Sequence, residues 1–150
     1  MRYTIPTLLA GLVSLGLLSA CQNKPDIESW PLVEDCDLHQ QTCHATQGDA
    51  SASLSIQPQP IPLAKPFQVE VQLQHIDTNM LELDISGINM YMGYNRVTLT
   101  ADPEKPGHFT GRSMLAFCTN EVMEWQVSLL LEQADGTRLQ IPFKLVTQHR

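Results

Sequence analysis

Between residues 67 and 145, apolar side chains recur at every second position, and that period decides what the chain can fold into. Phe67, Val69, Val71 and Leu73 alternate with Gln68, Glu70, Gln72 and Gln74. Leu81, Leu83 and Ile85 alternate with Glu82 and Asp84. Met123, Trp125, Val127, Leu129 and Leu131 alternate with Glu124, Gln126 and Ser128, and Leu139, Ile141, Phe143 and Leu145 with Arg138, Gln140 and Lys144. Successive side chains of a strand point to opposite faces, so each segment buries one face and wets the other. Shorter strands fit 52–57, 95–100 and 108–117. No apolar stripe of helical period occurs after residue 20.

The punctuation between these segments is turn chemistry. Gln47-Gly48-Asp49, the run from Asp102-Pro103 to Pro106-Gly107, and Ala134-Asp135-Gly136-Thr137 supply positive or preset φ. Ala134 to Thr137 predicts a hairpin between the last two strands. Pro142 falls on the outward series of the final strand and predicts an edge, where a missing ladder donor costs little. Strands at this spacing with one buried face each predict an all-β domain over residues 36–150. Its expected form is an immunoglobulin-like antiparallel β-sandwich of about seven strands. A small closed barrel is the alternative architecture.

The N-terminus carries a different signal. Met1 and Arg2 are followed by an apolar run from Ile5 to Leu18, then by Leu18-Ser19-Ala20-Cys21. The run is shorter than the roughly 20 residues that span a bilayer and has the layout of a secretory signal. The last four residues match the lipobox of bacterial lipoproteins. That match implies removal of residues 1–20, diacylation of the Cys21 sulfur and acylation of its new amino group. Each buried methylene contributes about 0.8 kcal/mol, and stable anchoring takes two chains or two signals, so a triacylated cysteine should hold firmly. Gln22, where an aspartate would favour inner-membrane retention, implies the outer membrane, facing the periplasm. Residues 21–35, with Pro25 and Pro31 and few apolar side chains, read as an acylated tether.

Arg2 is the one charged residue of the signal, so the mature chain is one unit more negative than the −7 of the whole. That balance opposes nucleic acid as a partner, since phosphate backbones are bound through basic patches. The expected membrane contact is the lipid alone.

Of four cysteines, Cys21 is committed to lipid, leaving Cys36, Cys43 and Cys118 in an oxidising compartment. Three cannot pair completely. All five methionines of the mature chain, Met80, Met90, Met92, Met114 and Met123, lie within residues 80–123. Met90 and Met92 share one strand face, Met114 and Cys118 another. The Thr119-Asn120-Glu121 turn folds Cys118 back toward Met123. A thiol and several thioethers gathered at one end of the fold would suit Cu(I) and suit magnesium, calcium or manganese poorly. Methionine also fills irregular core gaps, which is the competing reading.

His39 and His44, beside Cys43, read as solvated loop histidines, Trp30 as packing of the tether and Trp125 as core. The chain contains no G-x-S-x-G, H-E-x-x-H, C-x-x-C or Gly-rich phosphate loop. Acidic surroundings oppose the low thiol pKa that a Cys–His nucleophile requires. The expectation is a protein that is not an enzyme.

Several runs resemble a family of proteobacterial envelope lipoproteins. They are Cys36-Asp37-Leu38, Cys43-His44-Ala45, Pro60-Ile61-Pro62-Leu63, Lys65-Pro66, Leu115-Ala116-Phe117-Cys118-Thr119, Met123-Glu124-Trp125 and, most distinctively, Met90-Tyr91-Met92-Gly93-Tyr94-Asn95-Arg96. The resemblance runs from about Cys36 to Leu145. It extends more distantly to FixH-like and YtkA-like domains, small envelope sandwiches associated with cytochrome oxidase and copper handling. It implies Met90, Met92, Cys118 and Met123 as metal ligands, and a Sco-type copper chaperone or oxidase assembly protein as partner. The chain lacks the His-x-Met pattern of the better-understood periplasmic copper chaperones.

Two functions are therefore expected. One is a lipid-anchored accessory factor that binds Cu(I), with Cys36 and Cys43 in a disulfide. The other is a metal-free interaction module of the envelope, in which Cys118 pairs with Cys36 or Cys43 instead.

Overall fold

The computed structural model describes residues 27–148, and these form an all-β domain with no helix among them. In chain order the strands are β1 (Ile27–Ser29), β2 (Cys43–Gln47), β3 (Ala50–Gln57), β4 (Pro66–Gln74), β5 (Leu81–Gly87), β6 (Tyr94–Ala101), β7 (His108–Met114), β8 (Val122–Glu132) and β9 (Arg138–Gln148). They hydrogen-bond in the order β1-β9-β8-β5-β6-β7-β4-β3-β2. The result is one mixed, curled sheet whose inner face is the core. β6 is the corner: Tyr94 to Leu99 pair with β5, whereas Thr100 and Ala101 pair with β7.

Period-two alternation converts directly into this core. Phe67, Val69, Val71 and Leu73 are buried from β4, Leu81, Leu83 and Ile85 from β5, and the corresponding series from β8 and β9. Burying a side chain of this size contributes about 1.5–3 kcal/mol. Apolar area removed from water therefore drives the curl that brings opposite strands face to face.

The nine strands exceed the expected seven, and the two additional ones have identifiable causes. β1 is three residues long with every side chain exposed, so it carries no alternation, and it pairs with β9 in parallel. β2 reads Cys-His-Ala-Thr-Gln, whose inward positions are Cys43 and Ala45, too small to signal a strand. The sheet is therefore not purely antiparallel. The strand expected over 108–117 ends at Met114, with Leu115 in an isolated bridge to Leu63.

Segment 27–33, part of the stretch read as tether, runs along β9. Trp30 N–H donates to Gln140 O at 2.9 Å, Val33 N–H to Pro142 O at 3.0 Å and Lys144 N–H to Val33 O at 2.9 Å. Trp30 is buried in the core. Residues 140, 142 and 144 thus direct their backbone groups toward this short segment, and the donor that Pro142 lacks falls on that sparsely paired side. Cys21 and the signal segment lie outside the described residues. Among those described, no helix is long and apolar enough to cross a membrane.

Candidate metal centre

One end of the sheet is closed by two connections, 88–93 between β5 and β6 and 115–121 between β7 and β8. Asn89 holds the first against the second strand pair: its Nδ2 donates to Val122 O at 3.1 Å, and its Oδ1 accepts Glu124 N–H at 3.1 Å. Ile88 N–H donates to Glu124 O at 2.8 Å. This clamp fixes where Met90 can reach. Gly87, opposite Trp125 in the ladder, permits the close turn, because a β-carbon there would collide with the Met90 carbonyl.

Sulfur gathers at this rim. Cys118, 7% exposed, donates from Sγ to Met90 Sδ across 3.2 Å. Asn120 N–H donates to Cys118 Sγ at 3.5 Å, and Asn120 Nδ2 to Met123 Sδ at 3.8 Å. Met123 is 2% exposed, and its methyl lies 3.4 Å from the position of a Gly87 β-carbon. Met90, Cys118 and Met123 are therefore brought together by the Cys118–Asn120–Met123 turn and the Gly87–Met90 loop. Met92 packs half-buried against the core from the same loop.

The other two methionines differ. Met80 immediately precedes β5 at the far end and is half exposed, and Met114 is also half exposed. The shared face expected for Met114 and Cys118 fails because the strand stops at Met114, after which alternation no longer assigns faces.

Leu63, Ala116, Cys118, Asn120, Met123 and Thr147 line a cleft of about 10 Å³. A single water needs about that much space or more, so the cleft has no room for a hydrated ion. A cation entering here has to exchange its waters for sulfur. Thr147 ties the cleft to the core, its Oγ1 accepting Trp125 Nε1–H at 2.9 Å. Among the described residues no three His, Cys, Asp or Glu side chains gather as around zinc or calcium. The donor set is soft: one thiol and thioethers, which favour monovalent copper over hard cations. At 3.2 Å the sulfurs of Cys118 and Met90 are in direct contact, so an ion between them has to spread them.

Cys36 and Cys43 form a disulfide, which leaves Cys118 outside it as a buried thiol. His39 was expected to be a solvated loop side chain; instead its ring bridges two segments. Nε2 lies 2.8 Å from Val146 O, and Ile61 N–H donates to Nδ1 at 3.0 Å. Asn89, Asn120 and Thr147 are the site residues that sequence reasoning missed. Only Asn120, in its turn, carried a signal. No protein-family model matches the chain, and no curated protein matches it.

Proposed function

We propose that this chain is a lipid-anchored lipoprotein of the bacterial envelope, facing the periplasm from the outer membrane and acting without catalysis as a Cu(I)-binding accessory factor. Met90, Cys118 and Met123 are its principal ligands and Met92, on the same loop, the fourth. Its role is copper handling or cytochrome oxidase assembly, with a Sco-type chaperone or assembly protein as the exchange partner. The two parts of the sheet that meet at β6 are read as the layers of an immunoglobulin-like sandwich.

The observation that carries this reading is the contact of Cys118 with Met90, with Met123 tied in through Asn120. Three soft donors from separate segments meet at a rim where, among the described residues, no carboxylate or imidazole cluster competes. The disulfide between Cys36 and Cys43 also supports it, since the metal-free module expected Cys118 to pair with one of them. What favours that second reading is the exposure of Tyr91 and Tyr94 on the same rim, edge to face at 6.2 Å.

The test is titration of the reduced mature chain with Cu(I) against a competing chelator. Binding of about one equivalent, lost in the Met90→Ala, Cys118→Ser double variant, is the expected outcome for a soft-sulfur site. Binding that persists unchanged in the double variant, or none in the parent, overturns it.

A further inference from the structure

A second feature lies on the opposite face of the sheet and owes nothing to sulfur. The outward side chains of β6, β5 and β8 form a grid set by the ladder register. Tyr94, Ser86 and Gln126 make one row; Arg96, Asp84 and Ser128 the next; Thr98, Glu82 and Leu130 the third. Over this face lies a trough of about 560 Å³, lined among others by Glu82, Asp84, Tyr94, Arg96, Gln126 and Gln140. That is the size range of small-molecule sites.

Its floor is unusual for a surface. Asp84, which lines the trough, points outward yet is 7% exposed, and beside it in the ladder Ser128 is 1% exposed, beneath the lining rather than in it. Arg96 Nε donates to Asp84 Oδ1 at 3.1 Å. Ser128 Oγ accepts Nε2–H from Gln126 at 3.0 Å and from Gln140 at 3.1 Å. Desolvating a carboxylate at the bottom of a trough is costly, and a threonine or lysine would satisfy an outward strand position without it. The two amides are locked by one N–H each and retain a second N–H and a carbonyl for a ligand. Such planar, pre-oriented donors and acceptors match the paired hydroxyls of a sugar ring. Tyr94, 73% exposed at the end of the trough, presents a ring on which the apolar face of a sugar can stack.

Charge narrows the class. Glu82, Asp84 and Glu132 are balanced to within one unit by Arg96 and Arg138 along the same trough. A strongly charged ligand finds no matching field here, whereas a neutral polyhydroxylated one does. We propose that this trough binds a neutral oligosaccharide through Asp84, Arg96, Gln126, Gln140 and Tyr94. The site is independent of the copper reading.

The experiment is calorimetric titration of the mature chain in mild detergent with the tetramer of N-acetylglucosamine. Saturable binding is expected, weakened about tenfold or more in Tyr94→Ala and in Asp84→Asn, for a loss of about 1.4 kcal/mol per tenfold. Tyr94 is a surface residue, so its variant keeps the parent melting temperature and separates lost binding from lost folding. The Met90→Ala, Cys118→Ser variant binds the tetramer as the parent does, whatever its copper titration shows. No saturable heat up to about 10 mM, a concentration matched to weak binding, overturns the proposal. So does affinity that neither substitution changes, or tighter binding of a polyanionic tetragalacturonate.

Discussion

The thiol of Cys118 meets the thioether of Met90 at 3.2 Å, although the two residues stand 28 positions apart and belong to different connections. Neither loop makes this contact alone. The first is clamped by Asn89 to the backbone of β8, and the second is turned by Asn120, which reaches both Cys118 and Met123. The soft donors are thus held by backbone geometry as well as by their own packing in the core. Substitutions that touch no sulfur should therefore disable the site.

Gly87→Ala is the sharpest case. The added methyl would meet the Met90 carbonyl and approach the Met123 methyl, so the 88–93 loop has to shift. Overpacking of this kind costs about 1–3 kcal/mol. Cu(I) affinity should fall about tenfold or more, read by chelator competition. Unchanged affinity would show that Met90 is not positioned by this turn.

Reduction of the Cys36–Cys43 bond should destabilise the domain without emptying the rim. The bridge closes a loop of sequence separation 7. Chain-entropy arithmetic for so short a loop gives about 2–3 kcal/mol. Replacing both cysteines by alanine should lower stability in urea by about that amount, with some addition because Cys43 is buried. A loss below about 0.5 kcal/mol would contradict the stapling role.

The β8–β9 hairpin offers a pH readout. The Thr137 backbone N–H, and then its side chain, hydrogen-bond to Asp135 and hold that carboxyl below the usual carboxylate range. The folded pKa is the lower one, so the stabilisation is complete above the unfolded value and is lost as pH falls through the folded value. Below about pH 4 the Asp135–Thr137 turn should loosen. Protection of the Thr137 amide, taken relative to its intrinsic exchange rate at each pH, should fall there, and Asp135→Asn should remove that change. Protection that stays constant from neutral pH down to about pH 2 in the parent would rule this out.

The long strands were legible because each buries one face, and β4, β5, β8 and β9 appear where alternation put them. The sequence shows β1 and β2 poorly because they contribute almost no large inward side chains; they are held by ladder bonds that any residue can make. The rim was partly legible. The Thr119-Asn120-Glu121 turn pointed Cys118 toward Met123, but alternation misassigned Met114, since it stops meaning anything where a strand ends. Asn89 and Thr147 act through hydrogen bonds to distant backbone and side chains, and spacing along the chain holds no trace of such partners. The trough was hidden for the same reason. Asp84 reads as an ordinary wet position until its neighbours across three strands are known.

His39 gives the last prediction. The Ile61 amide can only donate, so Nδ1 must be the accepting nitrogen, and Nε2 carries the proton given to Val146 O. One ring therefore joins β9 to the 58–63 segment between β3 and β4. Removing it leaves a donor and an acceptor without their partner at a half-buried seam, a loss of about 1–3 kcal/mol. His39→Ala should lower stability in urea by that amount while leaving the Cys36–Cys43 bond and the copper titration intact. His39→Gln, whose amide can both accept and donate, should recover part of the loss. Equal stability for the alanine variant and the parent would mean that water replaces the ring at no cost, and that the seam is held by burial of Leu38 alone.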